Sequence, residues 1–174
     1  MKGRIIIILI AFTVFNNLNA QRFPKKVLET KKLVSIDMAE GWYEHYNHDL
    51  LNFSPIGFKK NFHSEKNSAV NYFTVCIKKS KLSINDFIQN KNKKREKLYK
   101  KIKIDVEKKQ TKNGVCYIEH SVMKGYTNTY QWLVYYYKHD GKIFTIGYCV
   151  EQKYYVKYLN DALQMMDSFQ IIKN

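Results

Sequence analysis

Apolar and polar positions alternate with a period of two along several stretches after residue 70, and twice the period changes to about 3.6. In Val70 to Lys79 (VNYFTVCIKK), Phe73, Val75 and Ile77 share one face and Tyr72, Thr74 and Cys76 the other, which predicts a half-buried strand. Ile84, Phe87, Ile88, Leu98 and Ile102 then recur at helical spacing. Ser83 with Asp86 three residues on forms a capping-box-like start. The middle of this segment, Lys91 to Lys97 (KNKKREK), carries almost no apolar residue, so the helix is expected to be anchored at both ends and solvated between them. Two hairpins follow. Ile104 to Lys109 and Val115 to Met123 flank Asn113-Gly114, and Trp132 to His139 and Lys142 to Val150 flank Asp140-Gly141. Both dipeptides tolerate the positive φ angles of tight turns. Lys153 to Phe169 is amphipathic, with Tyr155, Leu159, Ala162, Leu163 and Met166 on one stripe.

The first half is less regular. Leu33 to Ile36 predicts a short strand, Gly41-Trp42 a turn with a large aromatic beside it, and Leu50 to Ser54 a further strand. The remainder of 43–69 reads as irregular, broken by Pro55 and Gly57; residues 21–32, polar and basic, read as a loose leader or edge segment. The sum is an α+β domain over 33–172: an antiparallel sheet of about six to seven strands with two main helices packed against it.

Residues 1–20 change the expected location. Lys2 and Arg4 precede an apolar block of 11 residues, Ile5 to Phe15, and Leu18-Asn19-Ala20 offers a cleavage site before Gln21. That order is what a secretory signal needs, so the chain is expected to be periplasmic or secreted after cleavage near Ala20. The block falls well short of the roughly 20 apolar residues a membrane span requires, so no transmembrane segment is expected in the mature chain. A lipid anchor would need cysteine where Gln21 stands.

Charge narrows the partners. The chain carries 30 basic and 15 acidic residues, a formal charge of +15, and discounting Lys2 and Arg4 leaves 28 basic residues. Such an excess favours anionic partners. Outside the cytoplasm these are an acidic protein, an anionic glycan or a lipid surface, and nucleic acid is disfavoured. The basic residues concentrate in Lys91, Lys93, Lys94, Arg95, Lys97, Lys100, Lys101 and Lys103, which predicts a band of ammonium groups along one helix; the plainer expectation is a solvated face whose lysine stems cover apolar surface.

Candidate chemistry is sparse. The chain holds 14 tyrosines and two tryptophans. Tyr135 and Tyr137 point opposite to Tyr136, so helices on one face only would leave an aromatic binding patch exposed at Tyr135 and Tyr137. His45, His48 and Asp49 could ligate a metal only if they share a helical turn. The same region, with Glu44, His45 and Asp49, is where a hydrolase acting on an acidic glycan would have to work. Cys116 and His120 share a strand face but lie about 13 Å apart, too far for a nucleophile–base pair. Cys76, Cys116 and Cys149 match no zinc spacing and are expected as reduced, buried thiols. No nucleotide or serine-hydrolase motif occurs, and no cofactor is expected.

The order of elements resembles the PsbP-like superfamily, which includes photosystem-associated PsbP, Mog-type Ran-binding proteins and bacterial DcrB-type periplasmic proteins. The resemblance rests on Met38-Ala39-Glu40-Gly41-Trp42, where relatives often carry Pro-x-Gly-Trp, on Leu82-Ser83-Ile84-Asn85-Asp86-Phe87, and on the closing Met166-Asp167-Ser168-Phe169. It covers residues 33–172 and departs from the pattern in lacking the proline before Gly41. It implies an antiparallel sheet with packed helices and a binding or assembly role. The residues and the resemblance together favour an exported, non-enzymatic binding or accessory protein, with a hydrolase or a structural subunit of an envelope assembly as the rival readings.

Overall fold

The computed structural model describes residues 25–47, 50–56, 73–99, 101–125 and 128–172; residues 1–20, with the expected signal, lie outside them. The chain runs α1 (Lys25–Leu33), β1 (Val34–Ser35), β2 (Trp42–Asn47), β3 (Leu50–Pro55), β4 (Phe73–Lys79), α2 (Ile84–Leu98), β5 (Ile102–Thr111), β6 (Gly114–Lys124), β7 (Thr129–His139), β8 (Lys142–Glu151), α3 (Gln152–Ser168) and β9 (Gln170–Ile171). Seven strands form one sheet in the order β2-β3-β4-β8-β7-β6-β5, antiparallel throughout, and β1 pairs with β9. The expected α+β architecture is therefore present. Among the described residues no helix is long and apolar enough to cross a membrane.

The period-two pattern sorts side chains between two buried faces. Phe73, Val75, Phe144, Ile146, Tyr148, Leu133, Tyr135 and Tyr137 join the larger core, with Ala162, Met165 and Met166 of α3 and Val27 of α1. The opposite face contributes Val134, Tyr136 and Ile143, which meet Ile88 of α2. Helices thus cover both faces. The expected aromatic patch does not form at Tyr135 and Tyr137, which are 8 % and 2 % exposed, because α3 occupies the face they point to.

Local chemistry explains the element boundaries. Ser83 Oγ accepts the Asp86 amide and caps α2. Asp140 and Gly141 take φ of 46° and 66°, the pair of positive values a two-residue hairpin turn needs. In the other hairpin the loop is Lys112-Asn113, with Thr111 paired to Gly114, one residue earlier than the Asn-Gly pattern suggests. Asn113 is drawn into tertiary contacts there: its Nδ2 donates to the Phe169 carbonyl (2.8 Å) and its Oδ1 accepts the Ile171 amide (3.1 Å).

Two segments differ from expectation. The leader forms α1 over Lys25–Leu33, because Val27 is buried in the larger core. Residues expected to be irregular form β2, which pairs with β3 along its full length. This edge strand is pinned by Trp42, whose indole Nε1 donates to Asp161 of α3 (2.9 Å) and whose ring meets Tyr158 edge-on. Trp42→Ala should therefore cost about 3–5 kcal/mol, the usual loss for a buried aromatic, and Asp161→Ala about 1 kcal/mol, one hydrogen bond; urea unfolding of the two variants measures both.

Candidate functional site

α2 lies lengthwise over β7, an interior strand of the sheet. Phe87 meets Tyr136 edge-on, the Lys91 ammonium sits 4.7 Å over the same ring, and the Arg95 guanidinium sits 5.0 Å over Trp132. This register follows from the rises of the two elements: eight helical residues and four strand residues both span about 12–13 Å.

Beneath the helix is a carboxylate that the sequence pattern alone does not single out. Glu119 of β6 is fully buried. Tyr136 Oη donates to its Oε2 (2.7 Å), Ser121 Oγ donates to its Oε1 (2.9 Å), and Arg95 Nη1 donates to the same Oε1. Arg95 Nη2 also donates to Ser121 Oγ (2.9 Å), Lys91 donates to Tyr136 Oη, and Lys91 Nζ lies 3.8 Å from the carboxylate. Both oxygens of the buried anion thus accept hydrogen bonds, and two cations stand beside it, the condition under which a buried charge is tolerated.

The electrostatics follow from that enclosure. Burial drives the Glu119 carboxyl upward, but Lys91, Arg95 and the Tyr136 hydroxyl outweigh it and hold it below its ordinary value. Desolvation lowers Lys91 to about 8 against the pull of Glu119. Burial, reinforced by the Glu119 charge, pushes Tyr136 upward and keeps it a donor.

The basic helix therefore divides into two populations. Lys91 and Arg95 face the sheet, with side chains 34 % and 14 % exposed, which corrects the expectation of a solvated middle. Lys93, Lys94, Lys97 and Lys101 are exposed, and Lys100 lies outside the described residues. Leu98, expected to anchor the far end, is 74 % exposed, and Ile102 belongs to β5.

Beside α2 is a cleft of about 670 Å³. Its floor is Cys76 of β4 and Thr145 of β8, with Lys91 beside them turned inward to Tyr136; Leu82 and Phe87 are its apolar wall, and Lys78, Lys93, Lys94 and Lys97 are among its rim. A helix about 10 Å across covers little more than two strands spaced about 4.8 Å apart. Seated over β7, α2 therefore leaves a groove over β8 and β4.

The other sequence candidates do not converge. Glu44 pairs with Lys31 of α1 (2.7 Å), whereas His45 faces the other side of β2 and meets Ser54 Oγ (2.8 Å). Burial lowers His45, and Ser54 is fully buried. His48 and Asp49 lie outside the described residues, among which no group of three or more His, Cys, Asp or Glu could hold a metal. His120 is exposed near Glu107 (3.8 Å). None of the three cysteines is disulfide-bonded; Cys116 is buried as expected, while Cys76 and Cys149 are half-buried. Burial raises Cys149 to about 12, so this thiol stays protonated near neutrality.

No family model and no curated protein matches the chain. Solved structures do. A Bacteroides thetaiotaomicron protein is similar over 82 % of this chain, with 14 % identity and a TM-score of 0.50; the chain spans 46 % of that protein's length. A Pseudomonas aeruginosa protein of unknown function is similar over 76 % of this chain and 98 % of its own, with 7 % identity and a TM-score of 0.50. Cyanobacterial PsbP from Synechocystis aligns over 80 % of this chain and 93 % of its own, with 12 % identity and a TM-score of 0.47. At these identities the first two share a fold with this chain and nothing finer.

Removing one partner of a buried ion pair strands the other. Arg95→Met should cost about 3 kcal/mol at neutral pH, the lower end of the usual loss. The Glu119 pair stabilises the fold above the carboxyl's unfolded pKa, and that contribution is lost as pH falls through the depressed folded value. With Arg95 gone the folded value rises, so acid unfolding followed by circular dichroism should begin at a higher pH in Arg95→Met than in the parent.

Proposed function

We propose that this chain is an exported, non-enzymatic binding or accessory protein that captures an anionic partner on the outer surface of α2. The observation that carries the reading is the division of the basic helix. Lys91 and Arg95 are held inward by Glu119, and Lys93, Lys94 and Lys97 are left exposed on a rigidly seated helix. A band of ammonium groups on a fixed support attracts anions at long range without the cost of ordering a loop. The overall charge of +15 adds to the attraction.

Export is supported by Lys2, Arg4, the apolar block Ile5 to Phe15 and Ala20. It makes an acidic protein, an anionic glycan or an anionic lipid surface the partner classes in reach. The relation to the PsbP-like superfamily rests on the Gly41-Trp42 turn, the Leu82 to Phe87 helix start and the Met166 to Phe169 ending; it agrees with a binding role and names no partner. Glu44 and His45 point to opposite faces of β2, which disfavours a hydrolase site built on that pair.

Heparin serves as a defined polyanion for the binding reading. Retention of the protein on heparin should fall steeply between 0.1 M and 1 M salt as the screening length contracts from about 10 Å to about 3 Å. The triple variant Lys93→Glu, Lys94→Glu, Lys97→Glu should bind at least about tenfold more weakly. Affinity that is flat with salt, or a triple variant that binds like the parent, refutes the reading. For export, mass spectrometry of the protein recovered from its native cells should give a chain beginning at Gln21; an intact Met1 form confined to the cytosol would refute that part.

A further inference from the structure

We infer that the cleft between α2 and strands β4 and β8 binds a single-chain anionic amphiphile: a long-chain carboxylate lying along the helix with its head among the lysines. The inference rests on the anion-binding reading above and makes it specific.

Shape comes first. Phe87, Asn90, Lys91, Lys94 and Lys97 line the cleft. Their spacing is that of a single helix flank, and the eleven residues from Phe87 to Lys97 span roughly 15 Å at the α-helical rise. The site is thus an elongated trough, and its volume of about 670 Å³ lies within the range of small-molecule sites, about 300–1,000 Å³. An extended chain matches a trough, and a compact anion does not fill one.

Lining chemistry supplies the second constraint. The wall is carbon: Phe87, Leu82 and the lysine stems, over a floor of Cys76 and Thr145. Leu82 remains 42 % exposed at the mouth. Lysines bury their methylene stems along apolar surface and keep the ammonium at the edge, so the same residues supply both wall and rim. Among the described residues no aspartate or glutamate lines the cleft, and Lys78 brings a further cation from β4, across the cleft from the helix. A small anion would leave the apolar wall wet. A neutral chain would cover the wall but leave a ring of like charges uncompensated. A chain with one anionic end satisfies both.

Lys93, Lys94 and Lys97 belong to both the outer band and the trough, whereas Cys76, Lys78 and Thr145 belong to the trough alone, so substitutions and probes on β4 and β8 separate the two. Cys76 is half-buried in the floor, and an occupant should shield it. The experiment is the rate of Cys76 alkylation by N-ethylmaleimide in the full chain, located by peptide mass spectrometry, with dodecanoate below its micellar concentration. Dodecyltrimethylammonium, acetate and phosphatidylserine vesicles serve as comparison ligands. Dodecanoate should slow alkylation saturably, by about tenfold at ten times its Kd, and the cationic amphiphile and acetate should not. Lys78→Glu, an exposed change that leaves the outer band of α2 intact, should weaken the protection by about tenfold. Thr145→Tyr, which fills the floor without altering any charge, should abolish it.

Absent protection overturns the inference, as does equal protection by the cationic amphiphile or acetate, or an unchanged Lys78→Glu variant. Protection by vesicles without protection by monomeric dodecanoate would mean that the face meets a membrane, and also overturns it. Salt-sensitive heparin binding that survives while dodecanoate fails sinks the trough alone. Dodecanoate protection with no heparin binding sinks the outer-surface reading and keeps the trough.

Discussion

A single buried carboxylate governs the arrangement of this molecule. Glu119 sits fully enclosed between sheet and helix, where an uncompensated charge would cost several kcal/mol. Compensation has to come from α2, the element packed over that strand face. The helix must therefore sit at the rotation and register that bring Lys91 and Arg95 down onto β6 and β7. Once those two positions are fixed, so is every other residue of the helix. Ile88 turns to the small apolar core, Lys93, Lys94 and Lys97 turn outward, and the flank from Phe87 to Lys97 turns toward β4 and β8. The inward anion thus sets the outward cations and the trough beside them.

What could be read from the sequence was what short-range chemistry decides. The Ser83 cap, the Asp140-Gly141 turn and the alternation of Phe73, Val75 and Ile77 depend on neighbours a few residues away, and the structure contains them as expected. What could not be read depends on distant partners. Val27 and Leu28 look like a short apolar pair in a basic segment, and Val27 becomes helical core only because a sheet lies beneath it. β2 is polar and aromatic by composition, and is a strand because β3 pairs with it and Trp42 reaches Asp161 on α3, 119 residues later. The one-residue shift of the Lys112-Asn113 loop has the same origin, since Asn113 bonds the segment after α3.

The candidate site was half legible for a related reason. A run of basic residues is visible in any sequence, but whether a given lysine faces water depends on what lies under it. The available clue was a lone glutamate in an otherwise strand-like stretch, Val115 to Met123, on the same face as Tyr117 and Ser121. A buried position for that glutamate demands cations, and the only dense supply is α2. The tyrosines show the converse. Tyr135, Tyr136 and Tyr137 alternate faces, and the count of faces covered by helices decides their exposure. With α3 on one side and α2 on the other, all three are buried, and the aromatic surplus of this chain becomes packing rather than recognition.

The same anion also explains how so basic a helix holds together. Like charges four residues apart destabilise a helix by a few tenths of a kcal/mol per pair, and Lys91 with Arg95 and Lys93 with Lys97 are such pairs. Glu119 enters between the first pair from outside the helix and turns repulsion into a shared bond. Asp86 near the start and Arg95 and Lys97 near the end further complement the helix dipole. The second pair is out of reach of Glu119, and it lies in the exposed band and along the trough rim. The residual repulsion is therefore concentrated where an incoming anion would relieve it. On the function proposed for α2, anion binding and helix stability would be two sides of one electrostatic imbalance.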